Sequence, residues 1–169
     1  MSVPPQGFTA TDHAMMARAL RLAERGAYTT KPNPMVGCVI AQGEEVVGTG
    51  WHERKGGPHA EVVALDAAGE RARGATLYVT MEPCAHHGTT PPCTDAVLHA
   101  GVRKVVAGAL DPNPEARGGL DALRESGVDV ELVDSFAARA QNEAWRTWVS
   151  KRRPFVVLKL AASLDGRTA

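Results

Sequence analysis

The sequence lacks an excess of charge of either sign and lacks any long apolar run. Its 169 residues include 19 Lys and Arg and 19 Asp and Glu, so the formal net charge is zero. Proteins that hold a nucleic-acid backbone usually carry a basic excess, because phosphate contacts dominate such binding. No apolar stretch approaches the ~20 residues that a membrane span needs. We therefore expect neither a nucleic-acid partner nor a membrane partner.

Cysteine is scarce, and a secretory signal is missing. Residues 1–7 contain proline but not the charged and apolar segments of a signal peptide. The three cysteines, Cys38, Cys84 and Cys93, cannot all form pairs. An odd number without a signal favours a reducing compartment, in which thiols serve as metal ligands or nucleophiles. The sequence thus predicts a cytoplasmic protein.

The composition and the hydrophobic pattern are those of one globular α/β domain. Hydrophobic residues make up 44% of the chain and charged residues 22%. The periodicity predicts helices over 9–27, 59–68, 94–100, 118–126 and 135–151. It predicts strands over 36–41, 45–51, 75–80, 104–110, 128–133 and 155–160. Strands separated by single helices favour a largely parallel sheet covered on both faces, with a hairpin at its start.

The residues that point to chemistry are His59-Ala60-Glu61, Pro83-Cys84 and Cys93. One imidazole and two thiolates suit zinc, and three protein ligands leave the open position that marks a catalytic site. Zinc lowers the pKa of a water there from about 15.7 to about 7, which gives hydroxide at neutral pH. Glu61 can face that water without being a ligand, and can carry its proton to a departing amine.

This order of residues matches the zinc-deaminase signature H-x-E…P-C-x-x-C in its first half. The second half departs from it, because eight residues separate the two cysteines instead of two. Each residue also has an ordinary structural explanation: His59 can cap a helix, and Cys84 and Cys93 can be buried thiols. Their combination at strand ends and helix starts favours a metal site. Cys38 lies inside an apolar strand and is expected in the core.

Further motifs accompany the long cysteine loop CAHHGTTPPC across nearly the whole chain. They are PNPMVG at 32–37, GWH at 50–52, GPHAE at 57–61, DPNP at 111–114 and KLAASLDGR at 159–167. Together they resemble the bifunctional riboflavin-biosynthesis deaminase/reductase family. The tRNA and nucleoside deaminases, which use the short Cys-x-x-Cys form, match only in part.

The resemblance implies a fold, a domain organisation and a reaction. The fold is a cytidine-deaminase-like three-layer α/β/α sandwich with a central mixed, mostly parallel sheet. Residues 1–150 would form the deaminase domain, and 151–169 the opening of a reductase domain whose NADPH-dependent part is not in this chain. The sequence leaves open whether it is a stand-alone deaminase or a part of a longer protein. The family hydrolyses the ring amine of a diaminopyrimidinone ribosyl phosphate to the aminouracil phosphate and ammonia. A small-molecule substrate and a homo-oligomer, a dimer or higher, are the expected partners.

The resemblance also implies residue roles. One zinc ion per chain would be held by His59, Cys84 and Cys93, and Glu61 would transfer protons. The expected substrate contacts are Asn33, His52, His86, Asp111 and Asn113. Sequence alone allows turn roles equally for Asn33 and for Asp111, which stand beside prolines.

One position departs from the family pattern. Thr89 stands where the family usually has Lys or Arg, a residue thought to meet the substrate phosphate. A threonine offers that phosphate a hydroxyl without a charge. His87 and Arg117 are the candidates to replace the missing cation.

Three other interpretations compete with this one. In a zinc-stabilised binding module, His86 or His87 would close the metal shell. A structural site has no use for a carboxylate beside an open position, so Glu61 favours the enzyme. A nucleic-acid deaminase is disfavoured by the neutral charge and the long cysteine loop. A relative that has lost activity is disfavoured by the complete set of metal-binding residues and Glu61.

Overall fold

The computed structural model describes residues 8–86 and 91–167, and a five-stranded sheet forms its centre. The strands are β1 (Gly37–Gln42), β2 (Glu45–Trp51), β3 (Thr76–Val79), β4 (Lys104–Ala107) and β5 (Asp129–Leu132). They are ordered β2-β1-β3-β4-β5. β1 is antiparallel to both β2 and β3, whereas β3, β4 and β5 are parallel. Strand β1 alone runs against the other strands, so the mixed, mostly parallel sheet is confirmed.

Helices cover both faces of the sheet. They are α1 (Ala10–Ala23), α2 (Ala60–Ala68), α3 (Cys93–His99), α4 (Gly119–Glu125), α5 (Phe136–Gln141) and α6 (Glu143–Lys151). On one face α1 packs its Met16 against Val39 and Val106. On the other face α2, α3 and α4 pack around Leu77 and Val105. The three-layer α/β/α arrangement is therefore confirmed.

Close packing of α2 on β2 sets the position of the first turn of α2. Gly50 of β2 lies so near this helix that a Cβ there would overlap the Ala60 carbonyl oxygen and the Ala64 nitrogen. Only glycine permits such an approach of two backbones. The packing places Glu61, in the first turn of α2, beside the end of β2.

Two of the predicted elements are wrong in extent or existence. The helix expected over 135–151 is two helices, α5 and α6, because Asn142 interrupts it with φ −114° and ψ 24°. The strand expected over 155–160 is absent, and its Val157 and Leu158 are 74% and 77% exposed. An apolar run becomes a strand only beside another strand, and no described strand pairs with this segment.

The remaining predicted helices and strands are confirmed. The ends of β2 are as predicted, and those of the others differ by at most four residues. Cys38 is completely buried in β1, as expected for a core residue. Among the described residues, no helix has both the length and the apolar character to cross a membrane.

Candidate active site

The residues singled out by sequence meet at one edge of the sheet. The carboxyl ends of β2, β3 and β4 and the amino end of β1 lie at this edge, because β1 runs in the opposite direction. His59 precedes α2, Cys84 follows β3, and Cys93 begins α3. They adjoin a cavity of about 330 Å³ at this edge, which His59 and Cys84 line. Loops at the carboxyl ends of strands are the usual place for ligand sites in open α/β sheets.

His59, Cys84 and Cys93 form a compact group of potential metal ligands. The His59 Nδ1 lies 3.1 Å from the Cys93 Sγ and 3.6 Å from the Cys84 Sγ. All three ligand atoms lie within 4.8 Å of one another. Tetrahedral zinc with ordinary bond lengths separates an imidazole nitrogen from a thiolate sulfur by about 3.5 Å. The spacing and the chemistry of the donor set therefore fit zinc.

The electrostatics of this group favour a thiolate. Hydrogen bonds from Cys93 and His59 hold the pKa of the Cys84 thiol well below its ordinary value, against the effect of burial. The same contact with Cys84, together with burial, raises the pKa of Cys93. The hydrogen bond with Cys84 also raises the pKa of His59. A low-pKa thiolate beside an imidazole is a suitable ligand for a soft divalent metal.

Glu61 lies in the first turn of α2 and lines the same cavity. Only 3% of its surface is exposed. Burial raises the pKa of Glu61 to about 7, although the nearby His59 lowers it. A carboxyl group that titrates near neutrality can both accept and release a proton at physiological pH, as a general acid–base catalyst must.

All five residues expected to contact the substrate line the cavity. They are Asn33, His52, His86, Asp111 and Asn113. The His52 Nδ1 lies 3.0 Å from the Pro58 carbonyl, which can only accept, so we assign the ring proton to this nitrogen. The His52 Nε2 then accepts from the Asn33 amide nitrogen at 3.2 Å. Asn33 can therefore offer a ligand its side-chain oxygen and the second N–H of its amide.

Asp111 and Asn113 belong to the loop that follows β4. The Asp111 carboxylate accepts a hydrogen bond from the Asn113 N–H at 2.7 Å, and the Asn113 side chain accepts from the Glu115 N–H at 3.2 Å. Burial raises the pKa of Asp111 to about 6. This loop therefore presents one amide and one buried carboxylate to the cavity.

The residues considered for the phosphate contact are not all described. Thr89 and His87 lie outside the described residues. Arg117 is exposed and lines a second cavity beside α4, not the cavity that holds Glu61. His86 lines the Glu61 cavity but is not a member of the metal-ligand group found among the described residues.

Sequence reasoning missed four residues of this region, which are Glu82, Asn142, Trp145 and Val149. Glu82 accepts hydrogen bonds from the backbone N–H groups of Asp111, Gly118 and Leu120 at 3.0–3.2 Å. Trp145 and Val149 lie one turn apart on α6 and line the cavity. An acidic residue directly before Pro83-Cys84 and an apolar pair at helical spacing were the available signals.

Comparison with known proteins gives consistent results. The family model described as the cytidine and deoxycytidylate deaminase zinc-binding region matches residues 9–109. The riboflavin biosynthesis protein RibD of Escherichia coli strain K12 is 55% identical over 161 residues, which cover 94% of this chain and 44% of that protein. The diaminohydroxyphosphoribosylamino-pyrimidine deaminase of Buchnera aphidicola subsp. Schizaphis graminum is 49% identical over 122 residues, which cover 72% of this chain and 83% of that protein.

A solved structure gives the same picture. RibD of Acinetobacter baumannii superposes with a TM-score of 0.86 at 50% identity, and the match covers 94% of this chain and 45% of that one. The chain thus spans less than half the length of the RibD proteins that it matches here.

Proposed function

Since the chain belongs to the zinc-binding cytidine and deoxycytidylate deaminase family, and within it to the deaminase part of the riboflavin-biosynthesis proteins, we propose that it deaminates the diaminopyrimidine phosphate of that pathway. The reaction replaces a ring C–NH₂ by C=O, consumes one water and releases one ammonia. This chain covers most of the length of the Buchnera relative, and the name of that protein supports the choice of substrate. The proposed substrate, a phosphoribosyl aminopyrimidine, is a small molecule rather than a polynucleotide.

The observation that carries this proposal is the buried Glu61 beside a thiolate–imidazole group in one open cavity. His59, Cys84 and Cys93 would hold the zinc ion. Bound zinc lowers the pKa of water and so supplies hydroxide at neutral pH. A carboxylate at the position of Glu61 suits proton transfer to the leaving nitrogen.

The remaining cavity residues would bind and orient the pyrimidine. Asn33 offers its side-chain oxygen, while one of its two amide hydrogens is engaged by His52. Asp111 offers a carboxylate and Asn113 an amide, and both belong to the loop that follows β4. An acceptor such as the Asn33 oxygen suits the N–H groups of an aminopyrimidine, because each buried donor of a ligand needs a partner.

Ammonia release from the phosphorylated diaminopyrimidine tests the proposal, with cytidine as the competing substrate. We expect turnover of the diaminopyrimidine and little of cytidine. Turnover of cytidine alone would assign the chain to a different substrate class. A reductase activity with NADPH is not expected from this chain. The domain boundary at residue 150, the homo-oligomer and the cytoplasmic location stay predictions.

A further inference from the structure

Asn142 stands at the junction of α5 and α6, and only 5% of its surface is exposed. Its side-chain oxygen accepts a hydrogen bond from the Met35 N–H at 2.8 Å. Its amide nitrogen donates to the Met35 carbonyl at 2.7 Å. The two residues are 107 positions apart in the sequence. A side chain that pairs with both polar groups of one residue fixes that residue in position and in orientation.

Met35 belongs to segment 33–36, three of whose residues line the cavity. Pro34 has no N–H, so Met35 supplies the first backbone donor after Asn33. The two ends of the segment are held by backbone hydrogen bonds of 2.8 and 2.9 Å to residues outside it. The pair of hydrogen bonds from Asn142 is therefore what holds the middle of the segment.

Asn142 also makes a backbone hydrogen bond at the start of α6. The Asn142 carbonyl accepts a hydrogen bond from the Arg146 N–H at 2.8 Å in the first turn of this helix. Trp145 and Val149 of α6 line the cavity. The Arg146 guanidinium donates to the Leu110 carbonyl at 2.9 Å, at the start of the loop that follows β4. One residue thus connects the α6 wall of the cavity with the segment that carries Asn33.

We propose that Asn142 is a positioning residue for substrate binding, which acts by fixing Met35 and through it the Asn33 side chain. The inference rests on the proposed deaminase function. It extends the site beyond residues 9–109, the region that the zinc-binding family model matches. It also separates binding from chemistry, because Glu61 and the metal ligands lie in or next to α2, β3 and α3, and none of them is hydrogen-bonded to Asn142 among the described contacts.

The Asn142→Asp variant tests this role with almost no change in side-chain volume. At alkaline pH the introduced carboxylate places an acceptor against the Met35 carbonyl, so one hydrogen bond is replaced by repulsion. We expect the KM for the phosphorylated diaminopyrimidine to rise about tenfold, the equivalent of about 1.4 kcal/mol, while kcat changes by less than about threefold. At lower pH the protonated carboxyl can donate to that carbonyl, so the ratio of variant to wild-type KM should fall.

The Gln141→Glu variant is the matched control. Gln141 is the neighbouring amide, and its nitrogen donates to the Leu20 carbonyl of α1 at 2.8 Å, away from segment 33–36. The same change of amide to carboxylate should leave the KM within about twofold of wild type, because no bond to Met35 is altered. Arg139, Glu143 and Arg146 lie within five residues of both substituted positions, so their charges act on the introduced carboxylate in both variants.

Hydrogen exchange of the Met35 amide provides a readout that does not depend on the substrate. It should speed up in Asn142→Ala and stay unchanged in Gln141→Glu, with zinc content equal in all proteins. An unchanged KM in Asn142→Asp, or an equal rise in Gln141→Glu, would overturn the positioning role. If the wild type releases no ammonia, the proposed function fails, and unchanged exchange at Met35 in Asn142→Ala would separately refute the contact.

Discussion

Glu61 and Asp111 are two carboxyl groups buried in the same cavity, and burial raises the pKa of both. An ionised carboxylate is costly in an apolar setting unless hydrogen bonds or positive charge offset the loss of water. Asp111 has a backbone N–H as partner, and Glu61 has the nearby His59 and its own backbone N–H. A raised pKa suits the proton transfer assigned to Glu61.

The Glu61→Gln variant should keep its zinc and its fold but lose most of its activity. Glutamine is nearly isosteric with glutamate, yet it cannot take a proton from water. Positioned proton transfer typically contributes about 100- to 10,000-fold, so kcat should fall within that range. Ammonia release and zinc content are the measurements, and the exposed Glu70→Gln is the control. Turnover within a few-fold of wild type would remove Glu61 from the mechanism.

The Asp111→Asn variant should gain stability relative to wild type as the pH rises. The folded-state pKa of about 6 lies above the ordinary 3.8. Ionisation of Asp111 therefore lowers the free energy of unfolding once the pH rises above 3.8. Well below pH 3.8 the carboxyl is protonated in both states and the cost disappears. The relative gain between about pH 4 and pH 7 should be at most about 3 kcal/mol.

Urea unfolding of both zinc-loaded proteins across this pH range measures the gain. Effects of pH on zinc are common to the two proteins and cancel in the difference. The exposed Asp66→Asn should show no such trend. A constant difference between Asp111→Asn and wild type at all pH values would contradict a raised pKa.

At the scale of single residues, the sequence predicted the metal-ligand group, Glu61 and five further cavity residues, but not Glu82, Trp145 or Val149. His59, Glu61 and the two cysteines follow from the chemistry that zinc and a proton carrier require. Asn142 could not be found in this way, because its partner is a backbone unit 107 positions away. A pairwise contact of that range leaves no local pattern, although an Asn inside a helical segment is a hint, since its side chain competes for backbone hydrogen bonds.

Among the elements, the loop between β4 and α4 depends on a side chain from the neighbouring strand. Glu82 follows β3, and its carboxylate accepts from three backbone N–H groups along this loop and at the start of α4. The Glu82 N–H donates to the Ala109 carbonyl at 2.9 Å. These hydrogen bonds hold the loop of Asp111 and Asn113 close to the metal-ligand group, because Glu82 is two residues before Cys84 in the chain.

The Glu82→Gln variant should lower the free energy of unfolding by about 1–3 kcal/mol. The introduced amide nitrogen must face at least one of the N–H groups that now donate to the carboxylate, which leaves that donor unpaired. Urea unfolding measures the loss, with Glu125→Gln at the exposed end of α4 as the control. An equal effect of the two substitutions would mean that the Glu82 hydrogen bonds contribute nothing specific.

Hydrophobic periodicity predicted the order of the helices and strands but not their partners. The apolar run 155–160 has the composition of a strand, and the pattern cannot tell whether a neighbouring strand is present to pair with it. Two features that can be read from the sequence explain the reversed direction of β1. They are the tight turn around Gly43 and the long connection through α2 from β2 to β3. The position of β1 between β2 and β3 is a tertiary arrangement that the sequence pattern does not specify.

At the scale of the whole molecule, the metal-ligand group joins parts of the chain that are otherwise held by separate contacts. His59 belongs to the start of α2, Cys84 to the loop after β3, and Cys93 to the start of α3. The long cysteine loop connects Cys84 to Cys93 along the chain. An ion bound to all three would stabilise only the folded state, since the unfolded chain does not hold them together.

Removal of zinc should therefore lower the melting temperature, and its return should restore it. Purified protein should contain about one equivalent of zinc, and at 100 times the dissociation constant bound zinc adds about 2.7 kcal/mol. For a domain of this size that corresponds to a fall in Tm of roughly 5–11 °C after chelation. The Cys84→Ser variant should bind zinc weakly and melt at nearly the same temperature with and without chelator. Cys38→Ala, which removes a core thiol that is not a member of the metal-ligand group, should melt lower than wild type but keep the full zinc-dependent shift. If chelation shifted the Cys84→Ser variant as much as wild type, Cys84 would not be a ligand.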